Sequence, residues 1–258
     1  YAKIESYTSK TNGVSTPTAI VVDRPTGVEA NDLMLMLVMT ENDTSGSTKQ
    51  YSMQNDWTYL GESGDATQAV RTAVFYKISD GTEDVTDTVT FTLDNCNAVA
   101  FWLRISNVDV ADPINTSNFT LSSGNSATHI IPALTTDDDS CLAIAGLSFD
   151  GADYGATFTN GFDWRSKQDT ISAYYGFATG IAGIWGSKNI PAVGSTGVDT
   201  VSVGSSDGAA YFMLAINNGT SSGGTGGGTS GDIILADYYF DAENGNDANT
   251  GTSPISAW

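Results

Sequence analysis

The chain has 258 residues, 40% of them hydrophobic and 10% aromatic, with 30 acidic against 10 basic side chains and a formal charge of -20. That length and apolar content suit one main domain, because all-β domains of about 200–250 residues commonly fold as a single unit. The acidic excess argues against partners that present phosphate, nucleic acid and anionic membrane surfaces among them, while fitting both simple solubility and an extracellular setting.

Taken in chain order, the sequence starts at Tyr1 with no basic segment leading into an apolar one, so the start reads as processed, trimmed or internal. Strand signals follow one another: "TAIVVDRP" from Thr18, "DLMLMLVMT" from Asp32, "RTAVFYKIS" from Arg71, "DTVTFTL" from Asp87 and "AVAFWLRIS" from Ala98. The second half continues with "SCLAIAGLSF" from Ser140, "SAYYGFATG" from Ser172, "GIAGIWGS" from Gly180, "DTVSVGSS" from Asp199 and "AAYFMLAIN" from Ala209. These β-branched and aromatic runs are separated by Gly, Asn, Asp and Ser, and no segment sustains a helical period, so the chain is expected to be all-β. Even the longest apolar stretch, Leu33–Met39, has strand length and falls short of the ~18 residues of a membrane-crossing helix.

Landmarks of the first half recur in order in the second. Trp57 answers to Trp164, Asp87 to Asp199 and Ala100 to Ala210, and the apolar run after Asp32 answers to the one before Phe149. Two copies are too few for a solenoid or propeller. They predict a jelly-roll-like β-sandwich with two pseudo-repeated halves over residues 1–218, each half contributing strands to both sheets of one core. Residues 219–231, "GTSSGGTGGGTSG", have nothing to bury and read as a flexible linker. Residues 232–258 then open a new element, with an alternating strand running into a turn dense in Asn, Asp and Gly.

In that last segment Tyr238, Tyr239, Asp241, Gly245, Asp247, Gly251, Thr252 and Trp258 resemble the opening of right-handed parallel β-helix proteins of the pectate-lyase-like type. Residues 14–218 are similar to β-sandwich modules of viral tail fibres and tail spikes, through Asn31 and Asp32 before an apolar strand, Trp57 after a turn, Ala73–Lys77 and Ser106–Ile114. The resemblance implies a virion or extracellular location, other virion proteins and further copies of the chain, as a homotrimer, for partners, and a β-helix beyond Trp258 that reads or cuts surface polysaccharide. The residues present are expected to form a structural and adhesive module and not an enzyme. Its rivals are the carbohydrate-binding module of a secreted polysaccharide lyase, a catalytic jelly roll, and a capsid decoration or surface-filament subunit.

Candidate chemistry is sparse. Trp57, Tyr59, Tyr154 and Trp164 lie near polar turns, where rings either stack on sugar faces or plug the ends of the sandwich. Asp137, Asp138 and Asp139 offer hard oxygen ligands for Ca2+, or form a solvated acidic turn that blocks edge pairing; no other cofactor is expected. His129, the single histidine, has no partner pattern for nucleophilic catalysis and reads as structural or surface. Cys96 and Cys141 lack metal or redox spacing, leaving a disulfide or two buried thiols. Sequons at Asn42, Asn115, Asn118 and Asn218 matter only in a glycosylating host.

Overall fold

The structure is a computed structural model that describes residues 1–12, 18–41, 51–54, 56–64, 70–91, 97–121, 124–138, 140–150, 157–158, 162–169 and 181–219. The chain divides into two units, Tyr1–Ser221 and Ser222–Trp258. Of the linker only Gly219 is described; residues 220–231 and the β-helix-like segment lie outside the described residues, as do Ser172–Gly180, where the sequence predicts a strand.

The first half carries β1 (Lys3–Asn12), β2 (Ala19–Asp23), β3 (Leu33–Glu41), β4 (Tyr51–Met53), β5 (Thr58–Gly64), β6 (Val70–Ile78), β7 (Thr86–Phe91) and β8 (Ala98–Ser106). The second carries β9 (Ile114–Leu121), β10 (Ser126–Ile131), β11 (Thr135–Thr136), β12 (Cys141–Asp150), β13 (Thr157–Phe158), β14 (Asp163–Asp169), β15 (Ile181–Ile190), β16 (Gly194–Ser195), β17 (Asp199–Asp207) and β18 (Ala209–Ile216). All pairings are antiparallel.

The all-β, sandwich-type architecture is as expected, but the partition of the strands is different. Each half builds its own pair of sheets: β1-β8-β3-β6-β5 with β2-β7-β4, and β9-β18-β12-β15-β14 with β10-β17-β13, the same order twice. The small β11-β16 ladder has no counterpart among the described residues of the first half. The repeat is therefore a two-sheet unit of its own and does not contribute strands to both sheets of a single sandwich.

Three apolar layers hold the sheets together. Met34, Met36, Val38, Ala100 and Trp102 pack outward against Ile20, Val22 and Val89 of the first small sheet. Ala143, Ala145, Leu147, Tyr211 and Met213 do the same against Ile131, Val201 and Val203 of the second. Between them the two five-stranded sheets meet face to face, Leu33, Leu35, Leu37, Phe101 and Leu103 against Leu142, Ile144, Trp185, Phe212 and Leu214. The order is small sheet, large sheet, large sheet, small sheet. This explains why β3 and β18 are continuous apolar runs although they pair antiparallel: they are covered on both faces, a pattern more usual in parallel sheets.

The layers also correct the register of the repeat. Leu33 pairs with Ile105 and Leu142 with Ile216, so Phe101, Leu103 and Ile105 occupy the places of Phe212, Leu214 and Ile216. Ala100 thus corresponds to Tyr211 and not to Ala210, because a shift of one residue reverses the face a strand residue presents.

The seam between the large sheets needs small residues where rings cross it. A Cβ on Gly146 would run into the Phe212 ring and come within 2.9 Å of the Ile184 carbonyl, so these positions accept glycine alone without movement. Among the described residues two hydrogen bonds also cross the seam: Ser148 Oγ donates to the Arg71 carbonyl at 3.3 Å, and Ser63 Oγ donates to that of Thr120.

Candidate functional site

The described residue with the most developed polar setting among the predicted aromatics is Trp57. Asp56 precedes it in a left-handed conformation (φ 61°), which turns the chain into β5. The Trp57 indole N–H donates to Asp87 Oδ2 at 2.6 Å, and Asp87 Oδ1 accepts the Thr88 N–H at 2.9 Å. One edge of the ring meets Trp102 at a centroid distance of 5.7 Å, and Lys77 Nζ lies 5.4 Å from the ring centre while pairing with Glu83. Trp57 is half-buried against the first outer core. Its neighbours hold the start of β5 to the strand β7 and to the connection between β6 and β7.

The second half repeats the cationic part of this device. Lys188, which matches Lys77 in register, lies 5.7 Å from the Phe162 ring centre and donates to the Thr196 carbonyl at 3.2 Å. Asp199 matches Asp87 in accepting the next amide, from Thr200 at 2.6 Å. The recurrence of a lysine over an aromatic ring points to pinning of a loop as the shared task, since the partners differ, a carboxylate once and a carbonyl once. Replacing Trp57 by Phe is expected to cost about 1–3 kcal/mol, because it leaves the buried Asp87 carboxylate short of a donor. Urea denaturation compared with the wild type checks it, and an unchanged midpoint would show that water replaces the indole freely.

A groove of about 440 Å³ opens beside this cluster, lined by Asp56, Thr58, Tyr76, Lys77, Asp80 and Pro113 among others. The Asp80 carboxyl is held below its ordinary range because the Thr82 hydroxyl and amide both donate to it at 2.7 Å. Such a lining offers acceptors to a hydroxylated or cationic ligand. Among its described lining residues there is no activated nucleophile.

Tyr59 is the other described member of the predicted aromatic set and is 48% exposed, its ring tilted against Phe75 at 5.3 Å. Desolvation, with Glu62 beside it, pushes the phenol above its ordinary ionisation range. A raised folded pKa favours the neutral form, so the contribution of Tyr59 is complete below the ordinary tyrosine range and is lost as the pH rises through it and beyond. Alkaline spectrophotometric titration should show a late-ionising tyrosine component in the folded protein. In Tyr59→Phe that component should lose the amplitude of one tyrosine; an unchanged amplitude would assign it to other residues.

Tyr154 lies outside the described residues, and of Trp164 only the backbone is described, in β14 opposite Gly186. Asp137 and Asp138 are exposed and turn towards one side chain: the Asn115 amide donates to Asp137 Oδ1 and, at 3.4 Å, to Asp138 Oδ2, while the Asp137 N–H donates back to Asn115 Oδ1 at 3.3 Å. Asp139 is outside the described residues. Among the described residues no three His, Cys, Asp or Glu side chains are grouped so as to hold a metal ion.

His129 is a core residue. It is 1% exposed in β10 opposite Val201, where the first half has Ile20 opposite Val89, and its Nδ1 lies 2.9 Å from the Tyr211 hydroxyl. Cys141 is buried, its thiol 3.4 Å from the Asp138 carbonyl and 3.8 Å from Asn217 Oδ1, and Cys96 lies outside the described residues. The residues of the Trp57 cluster to which sequence reasoning gave no role are Lys77 and Glu83. Their only sequence signal is the recurrence of Lys77 as Lys188, which is invisible until the register of the repeat is known. Comparison with family models, curated proteins and solved structures finds no match for this chain.

Proposed function

We propose that this chain is a structural and adhesive module of a virion appendage, a tail fibre or spike, in which a stiff body supports contact with a host surface. The observation that carries the reading is the stack of three apolar layers, with β3 and β18 buried on both faces, fusing two repeats into one block. A core packed at crystal-like density transmits strain instead of absorbing it, which is what a load-bearing contact requires. The fold by itself does not choose a function. The likeness of residues 14–218 and 232–258 to tail-fibre and β-helix sequences supplies the context, and the partners are other virion proteins, further copies of the chain and surface polysaccharide.

Two measurements test this. Immunogold labelling of the native particle is expected to place the chain on the appendage, and the purified chain is expected to compete with the particle for adsorption to host cells. Labelling confined to the capsid would replace this reading with that of a decoration protein. Direct sugar contact is the second reading, favoured by the exposed ring of Tyr59. In that case Tyr59→Ala should weaken adsorption at least tenfold while the Trp57→Phe variant adsorbs normally.

A further inference from the structure

We propose that the module is a branch and not a link: the polypeptide reaches the stack and leaves it at the same end. β1 begins at Lys3 opposite Ser106, the last residue of β8. The next residue, Asn107, accepts the N–H of Gly219 at 2.7 Å, and Val108 forms a β-bridge with Asn218. Asn217 is tied in beside them, its N–H donating to the Pro113 carbonyl at 3.0 Å and its side-chain amide to that of Asp112 at 2.8 Å. The exit is thus fixed over three consecutive residues. A Cβ on Gly219 would lie 2.6 Å from the Val108 carbonyl oxygen, so a glycine at this place lets the departing chain pass close to the connection between the repeats.

The distances decide between branch and link. One cross-strand step, one peptide step and one hydrogen-bonded contact separate Lys3 from Gly219, about 15 Å at most. The nine residues of β3 place the opposite end of the stack about 30 Å away, and an in-line spacer would release its chain there. Any neighbour joined through either side of the block is therefore joined at the Lys3 and Gly219 end. The groove beside Trp57, walled in part by Val110 and Pro113, lies at this end. The opposite end, where Thr11 pairs with Val99, is the outer end in the sense that it lies away from both places where the chain joins the stack. That this outer end meets the host surface rests on the function proposed above; the mounting does not.

Double electron–electron resonance on the full chain tests the mounting, with Cys96→Ser as background and the buried Cys141 left in place. Nitroxide labels at Lys3→Cys and Asn218→Cys should be about 20 Å apart, whereas labels at Thr11→Cys and Asn218→Cys should be at least about 10 Å farther. Equal distances, or the reverse order, overturn the proposal. The functional consequence is read separately by attaching a bulky polymer at one labelled cysteine. Polymer at Thr11→Cys should abolish competition for adsorption and polymer at Lys3→Cys should leave it intact. The opposite result removes the outer end as the contact. If the unmodified chain does not compete at all, the adhesive reading falls while the resonance distances still decide the mounting.

Discussion

Trp185→Ala is expected to destabilise the block by about 3–5 kcal/mol, the range for deleting a large aromatic side chain from a closed core. Trp185 is fully buried in the seam between the two large sheets. Its ring meets Tyr7 edge-on at 5.2 Å and Phe101 at 6.4 Å, both from the first half, although Trp185 itself belongs to the second. Removing it opens a void that neither sheet can close alone, since each is held from behind by its own outer layer. The indole N–H has no hydrogen-bond partner among the described residues. Trp185→Phe should for that reason cost much less, no more than about 1.5 kcal/mol, because it discards an unsatisfied donor along with some volume. Chemical denaturation of both variants checks this. Equal losses would mean that the N–H is bonded after all.

Asp32→Ala is expected to cost a similar amount, about 3–5 kcal/mol, by a different route. Asp32 Oδ2 accepts the Arg104 Nε–H at 2.6 Å and the Glu29 N–H at 2.8 Å, and the Asp32 and Arg104 side chains are only 8% and 14% exposed. Truncation leaves the guanidinium of Arg104 with Glu29, 3.8 Å away and exposed, as its remaining carboxylate partner among the described residues, and frees the turn in which Asn31 holds a left-handed conformation (φ 72°). The decisive comparison is the double variant Asp32→Ala with Arg104→Met. If the loss comes from a stranded buried charge, the double variant recovers much of it. If the loss comes from the turn, the two are equally unstable, and Asp32→Asn, which keeps an acceptor, is the one that recovers.

Strand content was legible in the sequence because the central strands carry their own signal. Leu33–Met39 and Ala209–Ile216 are apolar at every position, and no local context makes such a run anything other than buried. Edge strands were not legible. β1, "KIESYTSKTN", and β9, "INTSNFTL", are mostly polar and at most half-buried, and they exist because β8 and β18 offer them an edge. The candidate site was less legible still. Trp57 reads as a plug or as a sugar platform from sequence alone, and its setting of Asp87, Lys77 and Trp102 is brought to it only by the fold.

The sequence by itself determined the all-β class and the existence of a repeat, because alternation, β-branching and recurring landmarks are local properties of the chain. Only the tertiary structure decided that each repeat closes its own pair of sheets and that the two large sheets then bury each other. Strand pairing is a choice among non-local partners whose apolar faces are chemically alike, and geometry alone distinguishes Phe212 packed over Gly146 from any other pairing of a ring with a gap.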